Sequence, residues 1–387
     1  MKKILATAAG LATGLAGSAM AQRPVNGHVG LVPAFSPTAE ELHAFHYTVL
    51  LPIITGICIL VLALLLWIVA RYNSKANPTP QKFSHNTMVE VIWTGVPILI
   101  LLFIALPSFD LLFKEDVIPD GKQVVMQGDG STTKFDFKND FPDRRKIDRN
   151  EYLRVFLASP SGEERLLQPR ADYTVEGLGK PDIKVMLASA PTSNETVIIR
   201  GGRSLVGKGK LLGLVGEDDR QIVLAPSLTI KVTGFQWGWI YSYPDFGDFE
   251  FSSNMLPEDK TTPDLYRWET DNHIVVPVGE TVRVTTTSRD VIHSWAMPNF
   301  GVKIDAVPGR INEAWFEAEK EGTYYGQCSE ICGVKHSFMP IVVEAVSRPK
   351  FDAWVDQQRA MAGLPPMYGD QKVKFAQAAG APLAANQ

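Results

Sequence analysis

Residues 326–340, GQCSEICGVKHSFMP, bring two cysteines, a histidine and a methionine together in one short segment. Thiolates and thioethers are soft metal ligands and imidazole is intermediate, so this combination favours copper over magnesium, calcium or manganese. Structural zinc sites also use cysteine and histidine, but methionine is not among their usual ligands. Met339 therefore argues against zinc.

The number of thiols in this segment restricts the kind of copper site. A single blue copper ion uses one cysteine, two histidines and a weak axial methionine, so Cys328 and Cys332 supply one thiolate too many. Two copper ions that share both thiolates would use the second one, and each ion would need its own imidazole. A disulfide is the alternative, but it leaves His336 and Met339 unexplained.

A second imidazole must come from elsewhere in the chain. The other histidines are His28, His43, His46, His85, His273 and His293. The first four lie before, within or between the apolar segments described next, away from the motif. His273 begins a strand pattern among polar residues, whereas His293 lies in DVIHSWAMPNFG, where a strand passes into a loop. We therefore expect His293 to be the missing ligand.

Two long apolar segments predict a membrane anchor. Residues 42–70 and 91–109 contain no Lys, Arg, Asp or Glu, and each reaches the length of about 20 residues that crosses a bilayer. The loop between them carries Arg71, Lys75 and Lys82, which the positive-inside rule puts in the cytoplasm. We expect a helical hairpin over residues 42–113 in the inner membrane, with both termini in the periplasm.

The N-terminal residues 1–21 have the pattern of a secretory signal peptide. MKKILATAAGLATGLAGSAMA begins with two lysines, continues with a short apolar run and ends on Ala-Met-Ala. The mature chain is then expected to begin at Gln22, with residues 22–41 as a periplasmic segment. The formal net charge of −4 excludes a strongly basic nucleic-acid-binding protein.

The remainder predicts a β-rich extramembrane part. Residues 114–225 are polar with short β-like runs and contain no Cys or His, which indicates an α+β or β-rich insertion. Residues 226–346 show short alternating strands typical of an antiparallel sandwich or barrel, including one strand in INEAWFEAEKEGTYYGQC. Residues 347–387 predict a short helix and a loose tail. The fold class is thus a membrane-anchored all-β protein.

Four segments resemble subunit 2 of haem–copper cytochrome c oxidases: VEVIWTGVPILILLFIALPS, FQWGWIYSYPD, VIHSWAMPNFGVKIDAVPGR and YYGQCSEICGVKHSFMPIVVE. The resemblance covers residues 36–113 and 226–346, and it implies a periplasmic cupredoxin-like sandwich. It also implies a function: accepting electrons from cytochrome c at a dinuclear copper A centre and passing them to a haem in subunit 1. The resemblance implies that oxygen is reduced to water in subunit 1 and that this reaction is coupled to proton translocation. Unlike the family, this chain has about 110 residues between its second span and the β domain.

The resemblance implies a role for each matching residue. Cys328 and Cys332 would bridge both copper ions, His293 and His336 would each ligate one, and Met339 would be an axial ligand. Glu330 would supply its backbone carbonyl to copper and its side chain to a magnesium ion shared with subunit 1.

Further residues acquire roles from the same resemblance. Trp237 would be the entry point for electrons; core packing is the alternative, and it is the role expected of neighbouring Trp239. Asp245, Asp248 and Glu250 would steer a lysine-rich cytochrome c; solvated loop charges without a partner are the alternative. Glu90, at the cytoplasmic end of the second span, would lie at the entrance of a proton path; an interfacial anchor is the alternative.

Two other functions fit parts of the sequence. A quinol-oxidase subunit would share the architecture without copper, and the complete ligand set argues against it. A membrane-anchored copper-binding or chaperone protein would need exchangeable, exposed ligands, whereas these lie between predicted strands.

Overall fold

The computed structural model describes residues 25, 27–79, 82, 85–141, 146–161, 163–203, 205–207 and 220–368. The expected signal peptide, residues 1–21, and most of the expected tail lie outside the described residues.

Two long helices form the membrane anchor. The first consists of α1 (Pro37–Phe45), a π-helical segment (His46–Leu50) and α2 (Leu51–Arg71), and the second is α3 (Thr87–Asp116). Both are long and apolar enough to cross a membrane. At the ends next to the β domain they extend beyond the two charge-free segments, and Lys114 of the second helix forms ion pairs there with Glu41 and Asp110.

Those helix ends are fixed to the β domain by polar contacts. Ser36 caps α1 and donates from its hydroxyl to the Phe300 carbonyl at 2.7 Å. Lys114 of α3 forms an ion pair with the buried Glu41 of α1 at 3.1 Å. Trp315 of the β domain donates from Nε1 to the Lys114 carbonyl at 3.0 Å. The β domain is therefore joined to the cap of α1 through the Ser36 side chain and to α3 through the main chain of Lys114, while the ion pair joins the two helices to each other.

The region after α3 folds around a hydrophobic core of its own. Its strands are β1 (Lys122–Gln127), β2 (Lys134–Lys138), β3 (Leu153–Ala158), β4 (Glu164–Leu166), β5 (Tyr173–Glu176), β6 (Asp182–Leu187), β7 (Thr196–Gly201), β8 (Leu205–Gly207) and β9 (Arg220–Ile222). Two sheets, in the orders β1-β7-β3-β4 and β2-β6-β5, bury Phe137, Val155 and Ile199 between them. Strands β8 and β9 form a separate pair. The predicted β-rich insertion is confirmed.

The β domain is a sandwich of two five-stranded sheets. Its strands are β10 (Leu228–Phe235), β11 (Gly238–Tyr243), β12 (Phe249–Ser253), β13 (Ile274–Pro277), β14 (Thr281–Ser288), β15 (His293–Met297), β16 (Val302–Ala306), β17 (Asn312–Glu317), β18 (Gly322–Cys328) and β19 (Pro340–Val346). One sheet has the order β12-β11-β10-β14-β17, and the other has the order β13-β19-β18-β15-β16. The alternating residues of β10, Leu228, Ile230 and Val232, are buried between the sheets.

Two expectations about this sandwich were wrong. The pairs β10–β14 and β13–β19 are parallel, so the domain is not purely antiparallel. The segment expected to contain one strand contains β17 and β18, one in each sheet. Both errors have the same cause: the chain crosses repeatedly between the sheets, which strand periodicity does not reveal.

The predicted C-terminal helix is confirmed. It is α4 (Arg348–Met361), which packs Phe351 and Val355 into the sandwich core.

Candidate metal centre

Five of the six expected ligands lie in the connection between β18 and β19. Cys328 is the last residue of β18, His336 begins a short 3₁₀ turn (His336–Phe338), and Met339 immediately precedes β19. Cys328, Cys332 and Met339 are buried, while His336 is half-buried. Because strands hold both ends of this connection, its side chains have little freedom to move.

The two sulfur atoms of the cysteines lie 3.9 Å apart. Two further ligand atoms surround Cys332 Sγ, namely His336 Nδ1 at 3.5 Å and Met339 Sδ at 3.5 Å. The thiol of Cys328 donates to the Glu330 carbonyl at 3.4 Å. The Glu330 side chain is exposed.

His293 reaches the same place from the neighbouring strand. It is the first residue of β15, which pairs with β18 so that Trp295 lies opposite Cys328. Its Nδ1 atom lies 4.0 Å from Cys328 Sγ, and its Nε2 atom lies 2.9 Å from Asp290 Oδ1. The other candidate, His273, instead contacts Glu269 at 2.7 Å, and Glu344 is the second carboxylate beside it.

The donor set fits soft metal ions. The cysteines are free, and a separation of 3.9 Å is about twice the length of a disulfide bond. Metal–thiolate bonds of about 2.3 Å allow an ion on either side of the line between the two sulfurs to bind both. Among the described residues, His293, Cys328 and Cys332 form a group whose ligand atoms all lie within 4.8 Å of one another.

The electrostatics of the two thiols differ. Burial opposes ionisation of Cys328, but hydrogen bonds from His293 and the backbone outweigh it and lower the pKa of Cys328 to about 7. Burial and the adjacent charge of Cys328 raise the pKa of Cys332 to about 12. Without a cation, the site therefore stabilises one thiolate, and forming the second requires added positive charge.

Comparisons with known proteins identify the family. A family model described as the periplasmic domain of cytochrome c oxidase subunit II matches residues 228–346, and one described as its transmembrane domain matches residues 24–111. A probable cytochrome c oxidase subunit 2 from Rickettsia bellii is 34% identical over 88% of this chain and 88% of its own. The chain belongs to the cytochrome c oxidase subunit 2 family.

A second relative and a solved structure are also similar to this chain. The cytochrome c oxidase subunit 2 of Cereibacter sphaeroides is 30% identical over 91% of this chain and 89% of its own. A solved structure of the periplasmic domain of subunit II from Bradyrhizobium japonicum is 51% identical, covering 36% of this chain and 98% of that chain, with a TM-score of 0.34. Membership of the family makes the chain a two-pass membrane component of an oxidase complex.

The two tryptophans singled out in this subunit 2 sequence have different surroundings. Trp239 is fully buried and donates from Nε1 to the Met339 carbonyl at 3.2 Å, which confirms its predicted place in the core. Trp237 is half-buried and donates from Nε1 to the Cys332 carbonyl at 3.2 Å. Both indole rings therefore contact the ligand loop, residues 328–339, through a main-chain carbonyl.

The three expected docking carboxylates are exposed but are not adjacent to Trp237. Strand β11 leads away from Trp237, and Asp245 and Asp248 follow its far end, about 20 Å along the strand. Glu250 lies opposite Ser242, at that same end. Proximity in sequence did not imply proximity in space here because a strand separates the groups.

Glu90 lies far from the metal centre in the chain, in the first turn of α3. It is half-buried, and Asn86 caps the helix by accepting a hydrogen bond from the Val89 backbone. A carboxylate in a first helical turn also interacts favourably with the helix dipole.

Sequence reasoning missed three residues that contact this centre. Asp290 lies within hydrogen-bond distance of His293 Nε2. Gln236 donates from its side chain to the Cys332 carbonyl at 2.8 Å. Gly234 lies against His293 so closely that a β-carbon there would be 2.8 Å from the imidazole ring. Asp290 lies three residues before His293 and Gln236 lies next to Trp237, but these sequence positions do not reveal the contacts, and the sequence carries no signal for Gly234.

Proposed function

We propose that this subunit is where electrons enter the oxidase. It accepts electrons from cytochrome c at a dinuclear copper A centre and passes them to the haem of subunit 1, where oxygen is reduced to water with proton translocation. Cys328, Cys332, His293, His336, Met339 and the Glu330 carbonyl are the copper ligands.

The observation that carries the proposal is the arrangement around the pair of sulfurs. Two thiolates 3.9 Å apart, with His293 beside Cys328 and His336 beside Cys332, offer each of two ions both sulfurs and one imidazole. Met339 lies beside Cys332, and the Glu330 carbonyl lies beside Cys328. Both are available as weak additional ligands. A single ion would leave part of this set unused.

Copper bound here supplies a one-electron carrier, and the protein supplies a fixed geometry for it. The ligands are held by β15, β18 and β19, so their positions need not change between redox states. Burial of Cys328, Cys332 and Met339 limits access of water. This burial also disfavours the copper chaperone alternative, since a chaperone must exchange its metal.

Trp237 is the proposed entry residue. Its ring is partly exposed, and its indole nitrogen is one hydrogen bond from the main chain of Cys332. An electron that reaches this ring therefore has a short bonded path to a copper ligand. Asp245, Asp248 and Glu250 are proposed to attract cytochrome c, and Glu90 is proposed to admit protons to subunit 1.

The remaining assignments follow from the same function. The exposed Glu330 side chain is free to bind magnesium together with subunit 1. The β domain, the insertion and both termini lie in the periplasm, with the hairpin in the inner membrane and residues 1–21 removed as a signal peptide. The insertion, residues 114–225, is an additional periplasmic unit.

Copper content and electron paramagnetic resonance of the purified full chain test the proposal. We expect two copper ions per chain and a mixed-valence signal in which one unpaired electron is shared by both. One copper with a blue-copper spectrum would contradict the dinuclear centre, and a chain that binds no copper would favour the quinol-oxidase type.

A further inference from the structure

Gln236 and Trp237 form the short connection between β10 and β11, the Trp237 loop. A hydrogen-bonded network connects this loop to the histidine side and to the cysteine side of the metal centre. The backbone N–H of Gln236 donates to Asp290 Oδ2 at 2.7 Å. The other oxygen of Asp290 faces His293 Nε2 at 2.9 Å. The side chain of Gln236 donates from Nε2 to the Cys332 carbonyl at 2.8 Å. One residue therefore bridges the histidine and the cysteine sides of the centre.

We propose that Gln236 is a positioning residue of the metal centre. Through Asp290 it is tied to His293, and through its own amide group it fixes the main chain of Cys332. Residues that hold metal ligands from outside set ligand orientation and metal affinity. The inference rests on the proposed copper centre for the identity of the metal.

Asp290 can fix the orientation of the His293 ring because its own carboxylate is fixed by hydrogen bonds. The backbone N–H of Val291 donates to its Oδ1 at 2.7 Å, and Ser288 Oγ lies 3.4 Å from the same oxygen. Both oxygens of the carboxylate are thus engaged, and the imidazole of His293 has its Nδ1 atom directed at Cys328. A loosely held carboxylate would not fix the ring in this orientation.

The close approach of the Trp237 loop to the ligand loop depends on Gly333. This residue has φ of +115°, and a β-carbon there would lie 3.1 Å from the Trp237 ring and 3.2 Å from Gln236 Nε2. A side chain at position 333 would therefore press against both donors of the Cys332 carbonyl. The absence of a β-carbon is an independent sign that the two loops are fitted together.

The principal test is Gln236→Met, which keeps the length of the side chain but removes the amide donor. In the copper-loaded full chain we expect a chelator to extract copper about tenfold faster than from the wild type, as is typical when a residue supporting metal ligands is lost. Gln357→Met is the matched control, because Gln357 is exposed on α4. Its extraction rate should equal that of the wild type.

Gly333→Ala provides a second variant that leaves Gln236 in place. It should also accelerate copper release, whereas Gly179→Ala should not. Gly179 has a similarly positive φ of +76°, but no atom lies within 4 Å of a β-carbon there. This pair separates the loop contact from backbone strain.

A metal-free measurement separates this inference from the proposed function. In the chain without metal, loss of the Gln236 amide should raise the rate at which a thiol reagent modifies Cys332, with an unchanged melting temperature. If the wild type binds no copper but this rate rises, the proposed function fails and the positioning role stands. Copper release and thiol modification that both match the Gln357→Met control would overturn the positioning role.

Discussion

The Nδ1 atom of His293 lies 4.0 Å from the Sγ atom of Cys328, although the two residues are 35 positions apart in the chain. Pairing of β15 with β18 brings them together. The imidazole is held from the other side by Asp290 and packs at its edge against Trp239, with ring centres 5.9 Å apart. The metal centre therefore depends on strand pairing in one sheet and on a ring from the other.

Gly234→Ala tests how tightly this imidazole is confined. A β-carbon at position 234 would lie 2.8 Å from the His293 ring, so the ring must shift from its present position beside Cys328. We expect weaker copper binding, by about tenfold or more, and an altered copper spectrum. Gly95→Ala is the control because nothing lies within 4 Å of a β-carbon there. An unaltered spectrum in Gly234→Ala would show that the ring position is not critical.

Trp237→Phe should slow electron entry without disturbing the metal centre. The Cys332 carbonyl keeps its shorter bond, the one of 2.8 Å from Gln236, and loses only the longer one of 3.2 Å from Trp237, so the copper spectrum should match that of the wild type. Loss of the indole nitrogen removes the short path to Cys332, and stopped-flow oxidation of reduced cytochrome c measures the result. Trp67→Phe, in α2, is the control. Wild-type kinetics in Trp237→Phe would remove this residue from the path.

The three docking carboxylates lie away from Trp237. We therefore expect them to attract cytochrome c by long-range electrostatics rather than by direct contact with a cytochrome c bound at Trp237. Replacing Asp245, Asp248 and Glu250 with the corresponding amides should raise the KM for cytochrome c at low salt and leave kcat unchanged. At an ionic strength of about 0.15 M the screening length is about 8 Å, so the difference should largely disappear. A change in kcat, or a KM effect that persists at high salt, would mean that these carboxylates touch cytochrome c.

Glu90→Gln separates a proton path from a helix-end role. If Glu90 admits protons, steady-state turnover of the assembled oxidase falls, and Glu90→Asp restores part of it. Loss of a helix-dipole interaction alone costs about 0.3–1 kcal/mol and would lower the melting temperature slightly without slowing turnover. Wild-type turnover in Glu90→Gln would thus retire the proton-path role.

The sequence revealed the ligand loop more fully than its surroundings. Cys328 to Met339 are contiguous, and their spacing alone identifies soft-metal chemistry, whereas the place of His293 depends on which strands pair. The positions of Gln236 and Gly234 could not be inferred, since both matter only through contacts between loops or strands. The alternation of Leu228, Ile230 and Val232 in the sequence matches the buried face of β10. It carries no information on which strand lies beside β10, so the parallel pairing with β14 was missed.

His273 provides a test of stability outside the metal centre. Burial alone would lower the pKa of its imidazole, but hydrogen bonds with Glu269 and Glu344 outweigh this and raise the pKa to about 9, from an ordinary value of 6.5. The folded state therefore binds the proton more tightly than the unfolded state. This stabilisation is complete below about pH 6.5 and is lost as the pH rises through about 9.

His273→Gln should accordingly destabilise the chain at pH 6 and not at pH 10. Glutamine can still donate to one carboxylate but carries no charge, so the loss at pH 6 is about 1–2 kcal/mol, which lowers the melting temperature by about 2–8 °C. At pH 10 the wild-type imidazole is neutral too, and the two melting temperatures should converge. His28→Gln, on an exposed histidine, should match the wild type at both values. A difference for His273→Gln that is the same at pH 6 and pH 10 would mean that packing, rather than the charge on the imidazole, stabilises this cluster.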